Sequence, residues 1–177
     1  MRIVVLREKQ AGETRVALMP ESVRKLVALE AEVIIESTAG SDAGVSDEDY
    51  LNAGASVTQE RTALLESTDI LVCVNRPSPD DLLRLPKGAA IVGFLKPLDE
   101  PHSFDYAITQ GLSMFAMELI PRTTRAQAMD ALSSMATIVG YKAVLIAAAH
   151  VPRMFPMLMT AAGTITPARV LVLGAGV

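Results

Sequence analysis

Ile70-Leu71-Val72-Cys73-Val74 is a run of five apolar residues with nothing polar for either face. A strand wet on one side alternates; one that is apolar throughout must be covered on both sides, as in a parallel sheet between helical layers. Similar runs recur in both directions: Arg2–Leu6 (RIVVL), Val33–Glu36 (VIIE), Ala90–Leu95 (AIVGFL) and Leu112–Glu118 (LSMFAME), with Val57-Thr58 as a minor strand. Helical signals separate them. Pro20 suits a first helical residue, and Val23, Leu26 and Val27 follow at helical spacing. Ser46 reads as a cap, with Asp47, Glu48 and Asp49 in the turn where the helix dipole favours negative charge, and Gly54 ends that helix. Thr62–Ser67, Asp80–Leu85 and His102–Gln110 supply further short helices. Strands alternating with helices, joined by right-handed crossovers, predict an α/β fold built on a doubly wound parallel sheet.

The composition narrows the classes. Half of the 177 residues are apolar and a fifth are charged, which excludes disorder. A net charge of −4 and seven aromatic residues without Trp argue against a nucleic-acid binder. One cysteine forbids an internal disulfide, and two separated histidines do not make a zinc site. Only four apolar residues follow Met1-Arg2 before Arg7, so no secretory leader is expected. The longest charge-free stretch, Met154 to Ala168, is broken by Pro156 and Pro167 and is shorter than the roughly 18 residues a membrane span needs. Size scaling predicts roughly 8,000 Å² of folded surface. All twenty acids lie in residues 1–130, leaving Lys142, Arg153 and Arg169 alone in the tail. An acid-free tail suits phosphates, a partner or a membrane, or is simply a buried segment.

The pattern changes after Pro121. From Thr124 to about His150 runs the longest helical pattern, with Met129, Leu132, Ala136, Val139, Ala143 and Ile146 forming one apolar seam. Thr124 and Gln127 fit a capping box. Arg122 and Arg125 beside a helix N-terminus suit a phosphate or a carboxamide, and Gln127, Asp130, Ser134 and Thr137 share one face with Ser133 nearby; the same stripe also reads as a solvated face. Pro152, Pro156, Gly163 and Pro167 then punctuate a connector before a last strand, Ala168–Leu173 (ARVLVL), which runs into Gly174-Ala175-Gly176-Val177. A strand entering G-x-G opens the turn that lets backbone approach a dinucleotide pyrophosphate, although the third glycine and the acidic ribose partner are missing. These features divide the chain into an α/β lobe (1–121), a bridging helix and connector (122–166), and the first strand and glycine turn of a second domain (167–177).

Other single residues carry two readings. Arg15, in the loop Gly12–Pro20 (GETRVALMP) after the first strand, either holds an anion or pairs with Glu8 or Glu13. Cys73, inside an apolar strand, is expected to be a buried structural thiol. His102 follows a proline in a turn, and His150 closes the long helix. No nucleophile elbow, Walker loop or H-E-x-x-H is present.

Four blocks, Gly12–Pro20, Met117–Leu132 (MELIPRTTRAQAMDAL), Val139–Val144 (VGYKAV) and Phe155–Val177 (FPMLMTAAGTITPARVLVLGAGV), resemble the NAD(H)-binding alpha subunit of proton-translocating NAD(P) transhydrogenase. The resemblance implies a Rossmann-like or flavodoxin-like first lobe, then the start of a Rossmann NAD domain. It implies direct hydride transfer between NAD(H) on this subunit and NADP(H) on a partner component, coupled to proton movement through a membrane-spanning component. The implied cofactor-binding residues are Arg122, Thr123, Thr124, Arg125, Gln127, Asp130 and Ser133 on the nicotinamide side. Gly174, Gly176 and Val177 would open the pyrophosphate turn. None is an acid–base catalyst, and no metal is implied, because hydride transfer between nicotinamides needs orientation rather than proton removal. A homodimer held by its partners at the cytoplasmic face of the inner membrane is implied as well. The chain would be the front portion of a longer subunit, inactive alone. One departure is Arg7-Glu8, where the family usually has Lys-Glu.

Alanine dehydrogenase shares this architecture and is the rival reading. Its first-loop arginine is matched by Arg15, but its lysine and histidine fall on Asn75 and Lys96 here, which removes the general base and argues against amino-acid oxidation. A non-catalytic interaction module is the third reading.

Overall fold

In the computed structural model, which describes residues 1–99 and 104–174, the ILVCV run is the body of strand β4 (Ile70–Asn75). The chain forms two compact units, Met1–Ile120 and Pro121–Val177. In the first, β1 (Arg2–Val5), α1 (Pro20–Ala28), β2 (Glu32–Glu36), α2 (Asp47–Asn52), β3 (Ser56–Thr58) and α3 (Arg61–Glu66) precede β4. After it come α4 (Pro79–Leu82), β5 (Ala90–Phe94), α5 (Asp105–Thr109) and β6 (Ser113–Ala116). The start of the helix expected at His102 lies outside the described residues.

All six strands are parallel, in the order β3-β2-β1-β4-β5-β6. Winding runs outward from β1 in one direction and from β4 in the other, so the switch point lies between these two strands. Because side chains alternate along each strand, β1 feeds two cores. Ile3 and Val5 pack with Val33, Ile35, Val23 of α1 and Tyr50 of α2. Val4 packs on the other side with Leu71, Ile91, Leu64 and Leu65 of α3 and Leu82 of α4. Ser46 caps α2 as expected, accepting from Asp49 N–H at 3.2 Å, and the structure adds the reciprocal bond of a capping box, Ser46 N–H to Asp49 Oδ2 at 2.9 Å. Gly93 lets β4 and β5 approach closely, since a Cβ there would lie 2.6 Å from both the carbonyl oxygen and Sγ of Cys73.

The second unit departs from expectation in four ways. The capping box at Thr124 and Gln127 does not form; Thr124–Met129 is 3₁₀ helix, and α6 (Ala131–His150) starts later, at Asp130, whose carboxylate is the better acceptor for a free N–H. The apolar seam is not buried, with Met129, Val139 and Ile146 all exposed. The connector holds a hairpin, β7 (Leu158–Thr160) with β8 (Gly163–Ile165). Ala168–Leu173 forms no strand and Val170–Leu173 stand exposed: apolar residues become a strand only where a neighbouring strand pairs with their backbone, and among the described residues a single bond, Ala168 N–H to the Met154 carbonyl at 3.0 Å, takes the place of a ladder. The accessible surface, 11,673 Å², therefore exceeds the size-scaling value. By length and composition alone α6 is long and apolar enough to cross a membrane, with a mean hydropathy of 1.6 and none of that window buried; Lys142 interrupts the charge-free run without changing that composition.

Candidate functional site

The segment that sequence reading favours lies in the second unit and is built from a turn upward. Thr123 is extended (φ −118°, ψ 156°) and Ala126 N–H donates back to its carbonyl at 2.9 Å, winding the 3₁₀ turn. Ala126 is the one buried residue among those described in this unit; Arg122, Thr123, Thr124, Arg125 and Gln127 are exposed around it. Asp130 then caps α6. Its carboxylate accepts from Ser133 N–H at 3.0 Å and Ser133 Oγ at 2.5 Å, while Ser134 Oγ donates to its carbonyl at 3.2 Å. The Ser133 bonds, with the Arg122 charge adding to them, hold the Asp130 carboxyl below the ordinary aspartate range. Asp130 and Ser133 are thus brought together, and a rigid ionised carboxylate stands beside exposed guanidinium and amide groups. Such a donor set fits a carboxamide, a ribose hydroxyl or a phosphate. Gly174 has φ +89°, a left-handed conformation suited to a glycine turn, and Gly176 and Val177 lie outside the described residues.

At the carboxyl end of the sheet, sequence reading singles out Arg15 and, through the alanine dehydrogenase reading, Asn75 and Lys96. That arginine is the ion-pair reading realised: it grips Glu13 through Nε at 2.7 Å and Nη2 at 2.6 Å. Asn75 Nδ2 also donates to Glu13 at 2.8 Å, and together these hold the Glu13 carboxyl down at about 2, with Arg15 the main cause. Glu8 caps β4, accepting from Val74 N–H at 2.6 Å, Asn75 N–H at 3.2 Å and Asn75 Nδ2 at 3.2 Å. Asn75 therefore gives its amide to two carboxylates of its own chain. Lys96, exposed and left-handed at φ 52°, has its backbone N–H held by Glu118. Cys73 is a buried thiol pushed up to about 12 by burial, hence structural.

Comparison with known proteins bears on both regions. The description "Alanine dehydrogenase/PNT, N-terminal domain" matches residues 4–139, and "Alanine dehydrogenase/PNT, C-terminal domain" matches residues 143–177. This chain belongs to the alanine dehydrogenase/PNT family. Within the family it is 43% identical over 177 residues to NAD(P) transhydrogenase subunit alpha of Cereibacter sphaeroides, covering all of this chain and 34% of that one. It is 30% identical over 180 residues to alanine dehydrogenase of Halomonas elongata, covering all of this chain and 48% of that one. The crystal structure of transhydrogenase from Sinorhizobium meliloti superposes with a TM-score of 0.88 at 39% identity, over 95% of this chain and 48% of that one. The chain thus spans between a third and a half of the length of the relatives it matches. The fold and the transhydrogenase resemblance read from the sequence stand; alanine dehydrogenases are the more distant relatives.

Sequence reading misses the contacts at the carboxyl end of the sheet. Glu8, Asn75 and Glu13 meet across 62 to 67 residues, a separation that no local spacing rule reaches.

Proposed function

We propose that this chain is the front portion of the NAD(H)-binding alpha subunit of a proton-translocating NAD(P) transhydrogenase. Identity along its whole length, higher toward transhydrogenase than toward alanine dehydrogenase, carries the reading. The first loop supports it: Arg15 is paired with Glu13, and Asn75, standing where alanine dehydrogenase has its lysine, carries no charge and gives both amide hydrogens to Glu8 and Glu13, so it is not left to hold a small substrate carboxylate.

NAD(H) belongs to this subunit in the proposal, and NADP(H) to a partner component. The nicotinamide supplies the hydride chemistry when bound. Arg122 and Arg125 would hold its carboxamide or an adjacent phosphate. Gln127 would set ring and ribose, with Thr123 and Thr124 shaping the loop. Asp130 and Ser133, already locked to each other, would give these groups a fixed floor. Gly174, Gly176 and Val177 would begin the pyrophosphate turn. No side chain needs to move a proton, so rate would come from proximity and orientation. The division into a 1–121 lobe, a 122–166 bridge and a 167–177 opening of an NAD domain belongs to the same proposal. A homodimer would dock NADP-binding and membrane-spanning components at the cytoplasmic face of the inner membrane.

Titration calorimetry with NADH tests this directly. Residues 1–177 should give no measurable binding, while a chain extended through a complete C-terminal family domain should bind, and Arg122→Ala should weaken that binding about tenfold, as loss of one charge-assisted contact does. Tight NADH binding by residues 1–177 would overturn the proposal.

A further inference from the structure

Between the carboxyl ends of β1 and β4 lies a crevice of about 280 Å³. We propose that it binds a phosphate dianion. Crevices at the switch point of an open parallel sheet are where this architecture ordinarily holds ligands, and the transhydrogenase reading leaves this one without a role. Arg7, Lys9 and Arg76 line it together with the polar groups of Gln10 and Ser78.

The charges decide what it takes. Two acids stand in its wall: Asp81 is gripped by Arg61 at 2.7 and 3.1 Å, while Glu8 caps the β4 amides and keeps its charge, so four cations (Arg7, Lys9, Arg61 and Arg76) face two carboxylates. Arg61 is spent on Asp81 and Glu36, so the available positive charge rests chiefly on Arg7 and Lys9. Lys9 reaches Asp81 only at 3.7 Å, and Arg7 reaches Asp42 only at 3.5 Å with both side chains half exposed. Long pairs made by an exposed cation are weak, and a doubly charged phosphate competes with them effectively. Arg76 is stacked over Phe104 at 5.6 Å, which steadies a third positive charge at the wall.

The test follows thermal unfolding of the 177-residue chain against inorganic phosphate, with chloride at matched ionic strength as the reference. Glycerol phosphate forms a second arm, to separate a free phosphate ligand from a phosphomonoester. A saturable rise in the midpoint with either is expected. Arg7→Ala and Lys9→Ala should each raise the half-saturating concentration roughly tenfold, and Lys87→Ala should leave it unchanged. Phosphorus NMR line broadening gives the same affinities without reference to stability, should a variant fold poorly. No saturation with either compound, or one half-saturation shared by all the variants, overturns the site.

Discussion

Arg61 meets Asp81 at two points, Nη2 to Oδ2 at 2.7 Å and Nε to Oδ1 at 3.1 Å, and also reaches Glu36 at 2.5 Å. One guanidinium thereby joins the start of α3, the end of β2 and the start of α4. Burial opposes both charges, yet the pairing raises the Arg61 pKa and lowers that of Asp81. Removing Arg61 leaves the buried Asp81 carboxylate with the long Lys9 contact at 3.7 Å as its one remaining ion pair among the described residues. Arg61→Ala should therefore cost about 3–5 kcal/mol in urea unfolding of the first unit. Arg61→Lys should recover only some of this, because a lysine cannot make the two-point contact.

Glu13 gives the lobe an acid-sensitive element. Its folded pKa, about 2, lies below the ordinary value of 4.5, so its contribution is complete above the unfolded pKa and is lost as pH falls toward 2. Unfolding midpoints followed from pH 6 to pH 2 should decline through that window. Glu13→Gln should be less stable at pH 6 and show a shallower decline.

Gly93 tests the close approach of β4 and β5. With Cys73 backbone and sulfur 2.6 Å from any added Cβ, Gly93→Ala must push the strands apart. A loss of about 1–3 kcal/mol is expected by denaturant titration, and Gly93→Ala combined with Cys73→Ala should not restore it, since the carbonyl oxygen still blocks the methyl group.

Asp130 carries the start of α6. Asp130→Ala should reduce helicity by circular dichroism at 222 nm, whereas Asp130→Asn, which keeps an oxygen for Ser133 N–H, should retain most of it.

The sheet is legible in the sequence because its information is local. β1, β2, β4 and β5 are short apolar runs bounded by turn residues, and each forms within about a residue of its expected place. The same signal misleads at Ala168–Leu173, where side-chain pattern alone does not provide a neighbouring strand. At Asp130 two local rules compete, and the carboxylate cap prevails over Thr124 and Gln127, shortening the helix. The ties of Arg61 to Glu36 and Asp81 span 20 to 25 residues and follow no period, so only the folded sheet brings them together. The segment Arg122–Ser133 is reached through resemblance and capping chemistry; its fixed Asp130–Ser133 contact is visible as an i, i+3 spacing.

The most direct test of the account compares two reactions of a full-length alpha subunit carrying these 177 residues. Combined with its NADP-binding component, it should transfer hydride between NADH and an oxidised NADP analogue, and should lose most of that rate with Arg122→Ala. Given pyruvate, ammonia and NADH instead, it should consume no NADH. Steady NADH oxidation in the second mixture, with none in the first, would contradict the account.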